Sequence, residues 1–90
     1  MNEHQQTVLI SNKRGLHARA SAKFVTLAST QTAAIEVAKD GSRVAGTSIM
    51  GLMMLGAAMG DSVTISASGE GAAEALVRLV DLVEAKFGED

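Results

Sequence analysis

The sequence predicts one α+β domain, a two-layer open-faced sandwich in which three helices cover one face of a four-stranded antiparallel sheet in the order βαββαβα. The chain of 90 residues is long enough for one two-layer core, so residues 1–90 are predicted to fold as a single domain. Stretches that alternate apolar and polar residues indicate strands with one buried face. Stretches with apolar steps of three and four residues indicate amphipathic helices.

Two strands and a helix are predicted in the first half of the chain. Residues 1–5 are polar and are expected to form a flexible tail, which includes His4. The Val, Leu and Ile of residues 6–11 predict the first strand. Apolar residues at helical spacing predict the first helix from Leu16 onward, and alternation over residues 34–38 predicts the second strand.

A tight hairpin and a short helix are predicted next. The dipeptide Asp40-Gly41 is a strong signal for a two-residue turn, so residues 43–45 are predicted to return antiparallel. Residues 48–55 are predicted to form the short second helix, with Ser48 or Thr47 as its N-cap.

A strand and a helix complete the chain. Residues 62–67 alternate cleanly, with Val and Ile on the inward face and Ser and Thr on the outward face. Residues 72–87 place apolar side chains on one helical face and charged ones on the other, with Ser68 as a possible cap.

The composition excludes several classes of function. The chain has no cysteine, which excludes disulfides, thiolate zinc sites and a thiol nucleophile. Two aromatic residues and a net charge of −2 disfavour a nucleic-acid-binding domain. No acidic cluster has metal-ligand spacing, so neither a metal nor a cofactor is expected.

The N-terminal residues do not resemble a signal peptide, and residues 49–59 are too short to span a bilayer, so a cytoplasmic protein without membrane insertion is expected.

His17 is the first candidate for chemistry. It lies where a loop turns into the first helix, and no Ser, Thr, Asp or Asn occupies the expected cap position. Either His17 caps the first-turn amides itself, or those donors are left for an anion. Arg19 adds a bidentate partner for oxyanions, and Lys13 and Arg14 make the approach positive. Two hypotheses follow: His17 handles a phosphate as a nucleophile, or it is an ordinary capping histidine.

The second candidate is the segment around Ser48. Capping alone would explain this serine. Four of the five methionines lie nearby, at positions 50, 53, 54 and 59. A helix of two turns cannot bury all of its large apolar residues on one side, and these are Ile49, Met50, Leu52, Met53, Met54 and Leu55. They form either an exposed patch that meets partners or the filling of an irregular core.

Together, the two segments resemble a known family. Gly15-Leu16-His17-Ala18-Arg19 resembles the active-site signature of HPr, the histidine phosphocarrier of the bacterial phosphoenolpyruvate-dependent phosphotransferase system. Ser48-Ile49-Met50-Gly51-Leu52-Met53 resembles the regulatory serine segment of the same family. The separation of the two motifs, the chain length and the order of the elements also fit this family. The resemblance covers residues 6–87.

The resemblance implies a role for each candidate residue. His17 would carry the phosphoryl group on Nδ1, receive it from enzyme I and pass it to an enzyme IIA domain. Arg19 would pair with the phosphoryl oxygens, and Ser48 would be modified by an HPr kinase/phosphorylase. A monomeric carrier without independent enzymatic turnover is implied. The partner-docking surface implied by the family would consist of Ala20, Phe24, Ile49, Met50 and Met53.

One position departs from the family pattern. Most members have proline directly after the active-site arginine, whereas this chain has Ala20. Proline presets the backbone of a first helical turn, so Ala20 retains an additional N–H donor and loses that rigidity. The neighbouring Ser21 could supply a hydroxyl that acts like a cap.

Two questions about function remain open at the level of the sequence. Within the family, the chain could serve sugar uptake or a regulatory relay like the nitrogen-type branch, and Ser48 does not distinguish them. The alternative of a different class is a non-catalytic interaction module that uses the Met-rich helix over residues 48–55.

Overall fold

The structure, a computed structural model that describes residues 3–89, has the predicted architecture and element order. Its strands are β1 (Glu3–Leu9), β2 (Ala34–Lys39), β3 (Ser42–Ala45) and β4 (Ser62–Ser68). Its helices are α1 (Ala18–Ser29), α2 (Ile49–Met54) and α3 (Ala72–Glu84), followed by a short 3₁₀ turn over Lys86–Gly88. The predicted open-faced sandwich is confirmed.

The sheet has the strand order β1-β4-β2-β3, and every neighbouring pair is antiparallel. The β2–β3 turn is the predicted hairpin, because Asp40 and Gly41 both have positive φ values, 51° and 85°, as a type I′ turn requires. On the outer face, the hydroxyls of Thr7 and Thr64 lie 2.9 Å apart across β1 and β4. Ser66 also has the predicted outward register, but it is buried between its partners on the two neighbouring strands.

The core lies between the inner sheet face and the helices. β4 contributes Val63, Ile65 and Ala67, all buried as the alternation predicts. α3 packs on β1 and β4, while α1 packs beside α3 and α2. The largest buried side chains from the helices are those of Phe24, Leu52, Leu79 and Val83.

The start of the chain differs from the prediction of a flexible tail over residues 1–5. β1 begins at Glu3, and His4 pairs with Ala67 of β4. Backbone pairing with the neighbouring strand therefore outweighs the polar composition of this segment. Met1 and Asn2 lie outside the described residues.

The boundaries of α3 also differ from the prediction. Gly71, in the left-handed region at φ 75°, precedes the helix, so Ser68 is not its cap. The helix ends at Glu84 instead of continuing to residue 87, and Lys86 and Phe87 have φ values of 57° and 56°. This turn redirects the chain, and the Phe87 side chain is buried. Within residues 3–89, no helix is long and apolar enough to cross a membrane.

Candidate functional site

The loop before α1 is fixed by hydrogen bonds to its own backbone and to the segment after α2. The buried Asn12 side chain donates from Nδ2 to the Gly15 carbonyl at 2.8 Å, and the Leu16 amide donates to the Ala57 carbonyl at 2.9 Å. Gly15 has φ 64°, and a Cβ at this position would collide with the Ala57 carbonyl. Glycine is therefore required by both the conformation and the space, and the loop delivers the following residues to α1 in a defined geometry.

His17 is the N-cap of α1. Its backbone is extended, its carbonyl accepts the first helical hydrogen bond from the Ser21 amide at 2.8 Å, and its Nδ1 accepts from the Arg19 amide at 3.3 Å. Of the two possibilities left open by the sequence, His17 therefore caps the helix itself. Because the cap residue is not helical, α1 begins at Ala18, although the stripe of apolar residues starts at Leu16.

The other ring nitrogen of His17 contacts a residue that the sequence did not point to. Nε2 lies 2.9 Å from Oε1 of Glu89, and each of these two side chains is only 14% exposed. The hydrogen bond from His17 is the main reason why the pKa of the Glu89 carboxyl lies below its ordinary value. Burial of the carboxyl opposes this effect, and the positive charges of Lys23 and Arg19 lower the pKa further.

These two contacts indicate which nitrogen of the neutral His17 ring carries the proton. The Arg19 amide can only donate, so Nδ1 must present its lone pair to it. The ionised Glu89 carboxylate can only accept, so Nε2 must carry the proton. The neutral ring that satisfies both partners therefore has its nucleophilic lone pair on Nδ1, at the N-terminus of α1. A group attached at Nδ1 would meet the first-turn amides of the helix.

Positive charge surrounds this end of α1. Arg19 is exposed, and within residues 3–89 its guanidinium has neither a hydrogen bond nor an ion pair, so it can bind an oxyanion. Lys13 and Arg14 are exposed on the preceding loop. In the part of the chain that the structure describes, no three histidine and acidic side chains converge as a metal site would require.

Ser48 is the N-cap of α2, as predicted. Its Oγ accepts a hydrogen bond from the Gly51 amide at 2.9 Å, and its backbone is extended. A Cβ at position 51 would lie 3.0 Å from both the Ser48 Oγ and the Val44 Cβ, so glycine allows the serine to approach closely. The hydroxyl remains half-buried at the edge of the helix.

The five residues expected to form a docking surface divide into two groups. Ile49, Met50 and Met53 are exposed, and Met50 is 70% exposed. Ala20 and Phe24 are buried, with exposures of 0% and 2%, so the expectation that they contact a partner is wrong. Both lie on the inward face of α1, where their apolar character serves the core.

The other methionines and Ser21 complete the outcome for the sequence candidates. Met54 and Met59 are exposed as well, which favours a surface patch over core filling. The Oγ of Ser21 is buried and donates to the Leu16 carbonyl at 3.1 Å. Ser21 therefore holds the loop before α1, and it does not accept a hydrogen bond as a cap would.

Comparisons with known proteins show which family the chain is similar to. The family model for the phosphorylation site of the PTS HPr component matches residues 4–85. The phosphocarrier protein HPr of Neisseria meningitidis (serogroup B) is 49% identical over 85 residues, which cover 94% of this chain and 96% of that protein. The phosphocarrier protein NPr of Shewanella violacea is 39% identical over 89 residues, which cover 99% and 98% of the two chains.

Solved structures show the same similarity. The crystal structure of HPr-C-His from Thermoanaerobacter tengcongensis has a TM-score of 0.92 and 48% sequence identity, with coverage of 97% of this chain and 98% of that chain. The crystal structure of HPr from Bacillus anthracis has a TM-score of 0.84 and 42% identity, with coverage of 88% and 94%.

Proposed function

The chain belongs to the HPr family and is a phosphocarrier of the phosphotransferase system, and from this premise we propose that His17 carries the phosphoryl group. The proposal rests on the hydrogen bonds of the two ring nitrogens of His17. Nδ1 presents a lone pair at the N-terminus of α1, while Nε2 holds its proton against Glu89. A neutral imidazole nitrogen in that position is a competent nucleophile.

In the proposed transfer, the Nδ1 lone pair forms a bond to the phosphorus carried by enzyme I. The bond between phosphorus and the donor atom of enzyme I breaks, and its electron pair stays with enzyme I. The Arg19 amide, which donates to Nδ1 before transfer, is placed to donate to a phosphoryl oxygen afterwards. The Arg19 guanidinium neutralises part of the phosphoryl charge, since phosphoryl transfer depends mainly on positioning and electrostatic stabilisation.

The carrier then has to release enzyme I and bind an enzyme IIA domain. We assign this docking to the exposed apolar patch formed by Ile49, Met50 and Met53. The patch is small, and its flexible methionines can adapt to more than one partner. Docking with a dissociation constant on the order of micromolar, about −8 kcal/mol, suits a carrier that exchanges partners.

Ser48 supplies the proposed regulation by an HPr kinase/phosphorylase. Its hydroxyl lies at the start of α2, directly before Ile49 and Met50 of the docking patch. Phosphorylation would add close to two negative charges there. The phosphate would disfavour apolar contacts and repel an acidic partner surface, so docking would be blocked without a change of fold.

The family assignment replaces the alternative of a non-catalytic interaction module built on residues 48–55. Relatives named HPr and NPr are both similar to this chain, so a sugar-uptake carrier and a regulatory relay both remain compatible with the proposal. In either branch we expect a cytoplasmic monomer whose acceptor is an enzyme IIA domain.

Intact-mass analysis after incubation with phosphoenolpyruvate and enzyme I from the same organism tests the proposal. One added phosphoryl group is expected, which acid removes and base does not. His17→Ala should not acquire it. The matched control is His4→Ala, because His4 is the other histidine and is exposed on β1; it should be phosphorylated normally. No phosphorylation of the native chain, or phosphorylation of His17→Ala, would overturn the proposal.

A further inference from the structure

We propose that four methionines in and after α2 form a modification site for peroxides, and that their conversion to sulfoxides weakens partner docking. They are Met50, Met53, Met54 and Met59, four of the five methionines in the chain, and together they form the methionine cluster. The effect on docking rests on the proposed function, in which Met50 and Met53 belong to the docking patch. The modification itself depends only on where the thioether side chains lie.

All four side chains of the methionine cluster are open to a small oxidant. Their exposed fractions are 79% for Met54, 70% for Met50, 59% for Met59 and 42% for Met53. Within residues 3–89, no methionine lies in the core. Because the oxidant has to reach the sulfur atom, the order of exposure predicts the order of reaction, with Met54 first and Met53 last.

The rest of the chain offers peroxide few competing targets. The sequence has no cysteine, tryptophan or tyrosine. Cysteine thiolates are the usual first targets of peroxide, and methionine thioethers are the other common site of reversible oxidation. Oxidation is therefore concentrated on one surface of the molecule. Docking alone does not account for that surface, because Met54 and Met59 are exposed outside the docking patch.

Oxidation of each thioether by hydrogen peroxide is a balanced two-electron reaction. The sulfur lone pair forms a bond to one peroxide oxygen, the O–O bond breaks, and the departing oxygen takes up the proton of the transferred one and leaves as water. The sulfur is oxidised to a sulfoxide, and the peroxide is reduced. A methionine sulfoxide reductase reverses the change. In that step a dithiol is oxidised to a disulfide, and the sulfoxide oxygen leaves as water.

Sulfoxides would change the docking patch without changing the core. The added oxygen makes a flexible apolar side chain polar. Burying that oxygen against a partner without a hydrogen bond costs free energy, so oxidation of Met50 and Met53 weakens docking. Leu52 is the buried residue of α2 and carries no sulfur, so the helix keeps its contact with the core.

Titration calorimetry with enzyme I tests the proposal on the carrier before and after treatment with hydrogen peroxide, which is removed before enzyme I is added. Peptide mass mapping should find one added oxygen on each methionine of the cluster, and the affinity should fall roughly 10- to 100-fold. The thermal unfolding midpoint should stay at its untreated value. Methionine sulfoxide reductases of both stereospecificities, supplied with a dithiol, should restore the affinity.

Two double variants separate the docking patch from the rest of the methionine cluster, each compared with its own untreated sample. Met50→Leu/Met53→Leu has no thioether in the patch, so peroxide should leave its affinity for enzyme I unchanged. Met54→Leu/Met59→Leu is the matched control. It retains both patch methionines, so peroxide should reduce its affinity as much as it does that of the native protein.

Unchanged affinity of native protein that carries oxygen on Met50 and Met53 would overturn the effect on docking. Equal losses of affinity in the two double variants would overturn its assignment to the patch. No oxygen on the methionine cluster, under conditions that oxidise free methionine, would overturn the modification site. Failure of the untreated chain to bind enzyme I would instead contradict the proposed docking function, and the mass map would still decide whether the cluster is modified.

Discussion

The beginnings of α1 and α2 use the same device for different purposes. At α1, the side chain of His17 accepts a hydrogen bond from the Arg19 amide; at α2, the side chain of Ser48 accepts one from the Gly51 amide. The difference lies in what else surrounds each cap. His17 has a carboxylate on its second ring nitrogen, whereas exposed apolar residues follow Ser48. The proposed difference in role between the two capping residues therefore comes from the groups that surround each side chain, not from the cap itself.

The start of α3 extends the comparison. There, Gly71 makes no side-chain cap, and the helix still forms, supported by six buried apolar residues. Capping is thus dispensable for a helix of 13 residues with an extensive core face. The side-chain caps of α1 and α2 coincide with the two positions for which we propose chemistry.

The largest expected effect comes from replacing one cap by the other. His17→Ser retains a residue that caps helices well and removes the nucleophile. Phosphoryl acceptance from enzyme I should fall below detection, while thermal or urea unfolding should show a loss of about 1–3 kcal/mol, because the Glu89 carboxylate loses its hydrogen-bond partner. Unfolding of the variant at room temperature would show that His17 is chiefly structural.

The next effect concerns the charge at the second cap. Ser48→Asp retains a good N-cap and adds a negative charge beside the docking patch, so titration calorimetry with enzyme I should show affinity reduced about tenfold or more. Ser68→Asp is the matched control, because Ser68 is exposed at the end of β4. Equal affinities for Ser48→Asp and the native protein would contradict the proposed switch.

A third pair of variants separates docking from stability within α2. Leu52 is fully buried, so Leu52→Ala should destabilise the fold by about 2–5 kcal/mol. Met50 is largely exposed, so Met50→Ala should leave unfolding unchanged and weaken enzyme I docking by about 1 kcal/mol. Docking by Met50→Ala with native affinity would remove this residue from the proposed surface.

The smallest effect is a dependence of stability on pH at the first cap. The folded pKa of Glu89 is lowered from 4.5, so its contact contributes stability above the unfolded value and loses it as the pH falls through the folded value. The difference in unfolding free energy between the native protein and Glu89→Gln should therefore shrink below pH 4.5. A constant difference down to pH 2 would show that the carboxylate charge is not involved.

The sequence predicts most of the fold because the relevant signals are local. The Asp40-Gly41 hairpin and the Ser48 cap are both encoded within a few residues, and the structure contains both. The position of His17 at the start of α1 was also visible from its neighbours, although its capping role was one of two possibilities.

The remaining features depend on contacts between distant parts of the chain. Neither the strand partner of His4 nor the contact of Glu89 with His17 has a local pattern, since each depends on a residue more than sixty positions away. The burial of Ala20 and Phe24 was missed for a related reason. The family's docking surface and the core face of α1 are both apolar, and only the packing of α1 shows which face these residues occupy.

We propose that phosphate is accepted on Nδ1 of His17 while Nε2 of the same ring keeps its proton. The most direct measurement is phosphorus–nitrogen correlation spectroscopy on ¹⁵N-histidine-labelled protein, phosphorylated by enzyme I and phosphoenolpyruvate. A phosphorus coupled to Nδ1 of His17, with Nε2 still protonated, is the predicted result. Phosphorus on Nε2 of His17, or on His4, would contradict the account.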